Sequence, residues 1–373
     1  MRAQGRQASG EPGPAPGPAW DRRGALTATA ALGLGLLTAC AKPSRRAEAA
    51  YDGWSTGPSP SASPSSFAPS SVSSSARHGG AAHEGGAGRG APAPPAGSPA
   101  PPGRRPARRP ELPRGGRELF PRHRLVGYCG LPGAAALGRL GIGDPDRRAA
   151  ETEKLAQRYA QGREPLPVLE LLATVANATA GPDGLYRTRT SSRTIRRYLR
   201  TARKHRALLL LNIQPGRSSV MAEVKALREW LVHPDVGIAL DPEWEMSPGQ
   251  VPGHTYGHTS GRELTRVARY LSELVGEYGL PEKPLVFHQV AASVVRDQTA
   301  LRPPPGVALI KSVDGIGSPG MKRTTWRHLV TAMPAGLHSG FKLFYEEDAE
   351  HSRLMTPKEV LALRPQPEYI MYE

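Results

Sequence analysis

The sequence predicts a (β/α)8 barrel behind a long non-globular leader, and three observations carry that prediction. From about residue 118 onward, eight short apolar runs alternate with turn residues and helix-like stretches. The ~250 residues that hold them match the usual size of such a barrel. The stretch 236–246 (VGIALDPEWEM) ends a short apolar run in three carboxylates, Asp241, Glu243 and Glu245. In a parallel α/β sheet the carboxyl end of a strand is where ligands bind. Buried acids must be hydrated, paired or functional, because an isolated buried carboxylate is costly. On a continued extended backbone these three would share one face.

The first third of the chain is Pro, Gly, Ser, Ala and Arg, with few large apolar residues. Such a composition cannot bury enough surface to offset the entropy of ordering. Asp21-Arg22-Arg23 precedes an uncharged run, 24–39, that ends at Cys40. Charged flank, short apolar region and small residues form the pattern of a signal peptide, and the run is too short to span a bilayer comfortably. Leu37-Thr38-Ala39-Cys40 resembles the bacterial lipobox, which implies acylation of Cys40 and a membrane partner through that anchor. Residues 1–40 are thus expected to be a lipoprotein signal peptide and 41–117 a Pro/Ser/Gly/Arg-rich linker, lifting a domain 118–373 from the outer face of the cell membrane.

The chain carries a formal net charge of +16, and its position decides its meaning. Residues 1–122 hold 16 Lys/Arg against 7 Asp/Glu, leaving 33 against 26 for the remainder. More than half of the excess therefore sits in the leader, where a basic tether beside an anionic membrane or wall explains it better than nucleic acid. The two cysteines, Cys40 and Cys129, do not form a disulfide framework.

In the folded part the strands are expected over 124–131, 166–175, 207–213, 236–240, 283–290, 306–313, 340–345 and 368–372. Helices are expected over 147–160, 194–204, 218–231, 261–278, 325–332 and 357–363. Gly127, Gly130 and Gly133 lack the dinucleotide-loop spacing, and there is no phosphate loop, so no cofactor is expected. No Gly-x-Ser-x-Gly elbow occurs. Cys129 has no basic sequence neighbour and reads as an inert buried thiol.

In a barrel the strand ends converge on one bowl. Tyr128 and Cys129 come from the first strand, Glu170 from the second and Gln214 from the third. The fourth brings Asp241, Glu243, Trp244 and Glu245, the fifth His288 and Gln289, and the sixth Asp314. The seventh brings Lys342, Tyr345, Glu346, Glu347 and Asp348, and the eighth Tyr372. Acids and aromatics suit carbohydrate: rings stack on sugar faces, and two carboxylates can divide acid and nucleophile roles. His288 with Asp241 and Asp314 lacks a His-x-His after the first strand, and His254 and His258 sit in a Pro/Gly loop, so no metal is expected. Lys342 alternates with Phe341 and Leu343 and is expected to form an ion pair with Asp314 or Asp241.

These positions resemble the (β/α)8 glycoside hydrolases that place the acid/base glutamate after strand four and the nucleophile after strand seven. The resemblance implies Glu243 as acid/base and Glu346 or Glu347 as nucleophile. The chain departs from that group at Pro242, where an asparagine is usual. Asp241-x-Glu243 is also similar to the strand-four pair of secreted wall-cleaving lysozyme-type barrels. As a whole, 124–373 resembles actinobacterial secreted lipoproteins with a glycoside-hydrolase-like barrel, a group that brings no established activity. Two functions are compatible with this: hydrolysis of a glycan or cell-wall polysaccharide, and a non-catalytic barrel that binds one.

Overall fold

The structure is a computed structural model that describes residues 109–373 apart from Ala332. The expected signal peptide, Cys40 and the linker up to residue 108 lie outside the described residues. Eight parallel strands form the barrel: β1 (His123–Gly130), β2 (Glu164–Ala176), β3 (Leu208–Ile213), β4 (Val236–Leu240), β5 (Lys283–Gln289), β6 (Val307–Val313), β7 (His338–Leu343) and β8 (Tyr369–Tyr372). Each pairs with its chain neighbours, and β8 pairs with β1, so the sheet closes on itself. The protein is therefore a (β/α)8 barrel, as its sequence predicts.

The strands are apolar on both faces because both faces are covered. Alternate residues point inward, where Leu125, Leu166, Val168, Leu208, Leu210 and Ile310 belong to one buried cluster. The residues between them, such as Val126, Leu169, Leu209 and Leu309, pack outward with the helices. Those helices are α1 (Pro145–Gln157), α2 (Ser192–Lys204), α3 (Val220–Ala226), α4 (Arg228–Leu231), α5 (Gly261–Tyr278), α6 (Pro319–Val330), α7 (Glu347–His351) and α8 (Pro357–Leu361). Six of them start on a side chain that accepts the backbone N–H three residues on: Asp144, Ser191, Ser219, Ser260, Ser318 and Thr356. The crossover from β5 to β6 has no α-helix; it runs through two short 3-10 turns into Pro303-Pro304-Pro305-Gly306, which cannot continue a helix.

Two departures from regularity shape the barrel's ends. Residues 109–122 pack beneath its amino end: Leu112, Leu119 and Phe120 join the interior cluster. The last nine residues of the stretch read as linker, 109–117, thus belong to the structured part. At the other end β2 overruns its neighbours, and Thr174, Val175 and Ala176 pair antiparallel with the strand Arg187–Arg189. One buried carboxylate, Glu223 of α3, fastens this hairpin by accepting from Arg187 and Arg189.

Candidate active site

The inward parity of each strand brings a band of polar side chains together above the apolar interior. Glu170 of β2 is its centre. One oxygen accepts from Asn212 Nδ2 of β3 at 2.9 Å and faces His288 Nε2 of β5 at 3.0 Å. The other oxygen accepts a short hydrogen bond from the Tyr369 hydroxyl of β8. Three strands beyond its own thus converge on one carboxylate with no solvent exposure.

His288 carries the network onward. Its Nδ1 lies 2.8 Å from Asp314 Oδ2, and Ser312 Oγ donates to Asp314 Oδ1 at 2.9 Å. Burial alone would strip the imidazole of its proton, but the carboxylates of Asp314 and Glu170 hold it well above its ordinary value. Burial likewise opposes the charge on both acids, and the His288 cation outweighs it, keeping both below the usual carboxylate range. Lys342 of β7 lies 3.4 Å from Asp314 and 2.6 Å from Glu373. This bears out the inward direction of Lys342 and its ion pair with Asp314. Burial opposes the lysine's charge too, yet Glu373 leads a set of neighbours that raise it well above normal.

Asp241 ends β4 and is held by two amides: Asn212 Nδ2 at 3.1 Å and Gln214 Nε2 at 3.0 Å. Burial raises its pKa, with His288 and Lys342 opposing. Next, Pro242–Trp244 form a 3-10 turn. The turn replaces the extended backbone on which three acids would share a face, and the acids separate. Glu243 stays with the polar band. One of its oxygens is enclosed without a hydrogen-bond partner, and burial, then the charges of Asp241 and Asp314, push its pKa well up. Glu245 instead lies against Ile213, Val220, Leu240 and Thr259, a recess between the strand wall and α3, and burial raises it to about 7. Trp244 is half-buried on the same turn.

Several side chains expected in the bowl lie elsewhere. Tyr128 alternates with inward Cys129, so it faces outward, where it packs edge-on against Tyr345 and Tyr372. Tyr372 also faces outward, its hydroxyl 2.6 Å from that of Tyr159. Tyr345 lies against Tyr372 at 5.1 Å, with the Arg139 guanidinium 5.2 Å from its ring centre. Gln289 alternates with His288 and donates to Ala291 O at 3.2 Å. Asp348 is fully buried, pairing with Lys322 at 2.9 Å and accepting from Gly317 N and Phe344 N. It ties the loops after β6 and β7 together. Glu346 is exposed; Glu347 is half-buried, and burial, then the Glu373 charge, raises its carboxyl.

The band also contains residues that sequence reasoning passed over: Asn212, Ser312, Tyr369 and Glu373. Each has a signal in the parity of its strand. Asn212 ends a run of leucines two residues before Gln214, Ser312 stands two before Asp314, Tyr369 two before Met371, and Glu373 two beyond it. Cys129 donates to Glu373 Oε2 at 3.2 Å, and burial raises its thiol, so it is no thiolate nucleophile. Among the described residues no cluster of His, Cys, Asp and Glu has metal-binding geometry.

No family model and no curated protein sequence matches this chain. Among solved structures, a hyperthermophilic endo-β-1,4-glucanase in complex with substrate is similar over 66% of this chain and 87% of its own, at 8% identity and a TM-score of 0.37. A likeness that distant carries no conclusion about chemistry, and the fold itself rests on the closed strand order.

Proposed function

We propose that this barrel hydrolyses a glycan or cell-wall polysaccharide, with Glu243 as the proton donor. The observation that carries the reading is the state of Glu243: partly buried, with one oxygen unpartnered, and facing two carboxylates that favour its protonated form. A carboxyl kept protonated can give its proton to the oxygen of a glycosidic bond. Near it Asp314 is held ionised by His288 and Lys342, a fixed negative charge that would favour the positive character developing on a sugar ring. The second carboxylate would come from the loop after β7, where Glu346 is exposed, and where burial and the Glu373 charge favour the protonated form of Glu347 and so weigh against it as the ionised partner. Trp244 offers a ring for stacking on the same rim turn.

The lipobox-like Cys40 would place this activity on the outer face of the cell membrane, within reach of wall glycans. One observation favours a second reading, a barrel that binds saccharide without cleaving it. Glu170 and Asp314 have both oxygens engaged within the protein. The test is product release from α- and β-glucans, chitin and purified peptidoglycan by the wild type and its Glu243→Gln variant. Hydrolysis is expected from the wild type, falling by about 10²–10⁴-fold in the variant. Equal activity in both removes Glu243 from the mechanism, and polymer retention without cleavage by either selects the binding barrel.

A further inference from the structure

Helix α2 carries a charge pattern that the proposed activity does not use. Six of its 13 residues are Lys or Arg and none is acidic: Arg193, Arg196, Arg197, Arg200, Arg203 and Lys204. Helix α5, by comparison, balances Arg262, Arg266 and Arg269 with Glu263, Glu273 and Glu277. Ile195, Tyr198, Leu199 and Ala202 turn the apolar face of α2 to the barrel, so all six cations stand on its outer face and are exposed. At spacings of three and four along a helix, like charges work against helix formation.

The fold neutralises only part of this. Arg203 pairs with Asp235 at 2.7 Å and Lys204 with Asp146 at 3.1 Å. Arg197 lies 3.8 Å from Asp144, and Arg196 sits over the Trp230 ring at 5.5 Å. The α2 cations paired with an acid among the described residues are Arg197, Arg203 and Lys204, which leaves Arg193 and Arg200 exposed without one. The result is a row of guanidinium groups along about 20 Å of the outer wall. Guanidinium forks bind phosphate oxygens in pairs, and a leaflet of anionic lipids presents such phosphates in a plane.

We propose that the outer face of α2 docks on an anionic phospholipid bilayer, holding the barrel by its side wall while the strand ends remain open. The lipobox-like Cys40 favours a bilayer over a free phosphate polymer as the occupant, since an anchor there would keep the two in reach. Electrostatic docking of this kind strengthens by about fivefold for each cation at the surface and weakens with salt.

The test is co-sedimentation of the full chain with vesicles of mixed phosphatidylglycerol and phosphatidylcholine. The variant Arg193→Ala/Arg200→Ala is expected to partition about 25-fold more weakly than the wild type. Arg193→Lys/Arg200→Lys should keep most of the binding. Arg262→Ala/Arg269→Ala removes the same charge from α5 and should change it by less than about twofold. Equal loss from the α2 and α5 variants would assign the effect to total charge and overturn the proposal, as would unchanged binding of the α2 variant. Binding of soluble poly(glycerol phosphate) but not of vesicles, lost in the α2 variant, would also overturn it, by making a wall polymer the occupant.

Discussion

Glu243 and Glu245 are two residues apart and both hold protons more tightly than free glutamate, yet with opposite consequences. For Glu243 the raised pKa, set by burial and then by Asp241 and Asp314, is what a proton donor requires. Activity is therefore expected while Glu243 is protonated and to fall as pH rises through its raised pKa. A pH–rate profile checks this: its alkaline limb should vanish from the residual activity of Glu243→Gln. For Glu245 the cause is the apolar recess behind β4, and the effect falls on stability. Its folded pKa of about 7 lies above the unfolded value of 4.5, so its contribution is complete below pH 4.5 and lost as pH rises through about 7. Full ionisation costs up to about 3 kcal/mol. Glu245→Gln should remove that loss, raising stability at pH 8 relative to the wild type by up to the same amount in urea unfolding. That Asp241 and Glu243 sit together while Glu245 leaves was not legible in the sequence. Spacing alone suggested one face, and the Pro242 turn that separates them depends on how the chain leaves β4.

At the scale of elements, continuous apolar runs located the strands, because a parallel strand covered on both faces has little choice of composition. Most of the Ser, Thr and Asp caps went unread: the helix capped by Ser318 begins at Pro319, six residues before the start expected from its apolar spacing. Parity was applied to the acids after β4 and to Lys342 but not to the other strand ends. Adjacent strand residues point to opposite faces, so Tyr128 with Cys129, and His288 with Gln289, could not all reach one bowl. The hairpin after β2 was not foreseen, since its pairing strand Arg187–Arg189 is polar and only three residues long. What holds it is Glu223, which also accepts from Ser218 at 2.6 Å and from Thr174 at 3.3 Å. Removing one partner from such a buried group strands the others. Glu223→Gln is expected to cost on the order of 2–3 kcal/mol in urea unfolding and to expose residues 177–186 to proteolysis before the barrel itself opens. A variant cleaved no faster than the wild type would mean that the backbone pairing alone holds the hairpin.

For the molecule as a whole, composition placed the start of the barrel domain several residues late. Residues 109–117 are rich in Pro, Gly and Arg, and nothing in such a stretch distinguishes a spacer from a segment that closes the amino end of a barrel. The contacts that decide it are long-range. Leu112 is 3% exposed within the interior cluster. Arg114 pairs with Glu153 at 2.8 Å, and Arg117 donates to the Leu280 carbonyl at 2.7 Å while its own carbonyl accepts from Glu282 N at 2.8 Å. Burying one leucine contributes about 2 kcal/mol, and the hydrogen bonds on the order of 1 kcal/mol more. A chain beginning at residue 118 should therefore be about 3 kcal/mol less stable than one beginning at residue 109, lowering its melting temperature by about 6–12 °C. Leu112→Ala in the longer chain should reproduce about two thirds of the loss. Equal melting temperatures for the two chains would show that the barrel closes without this segment and that Leu119 and Phe120 alone seal its amino end.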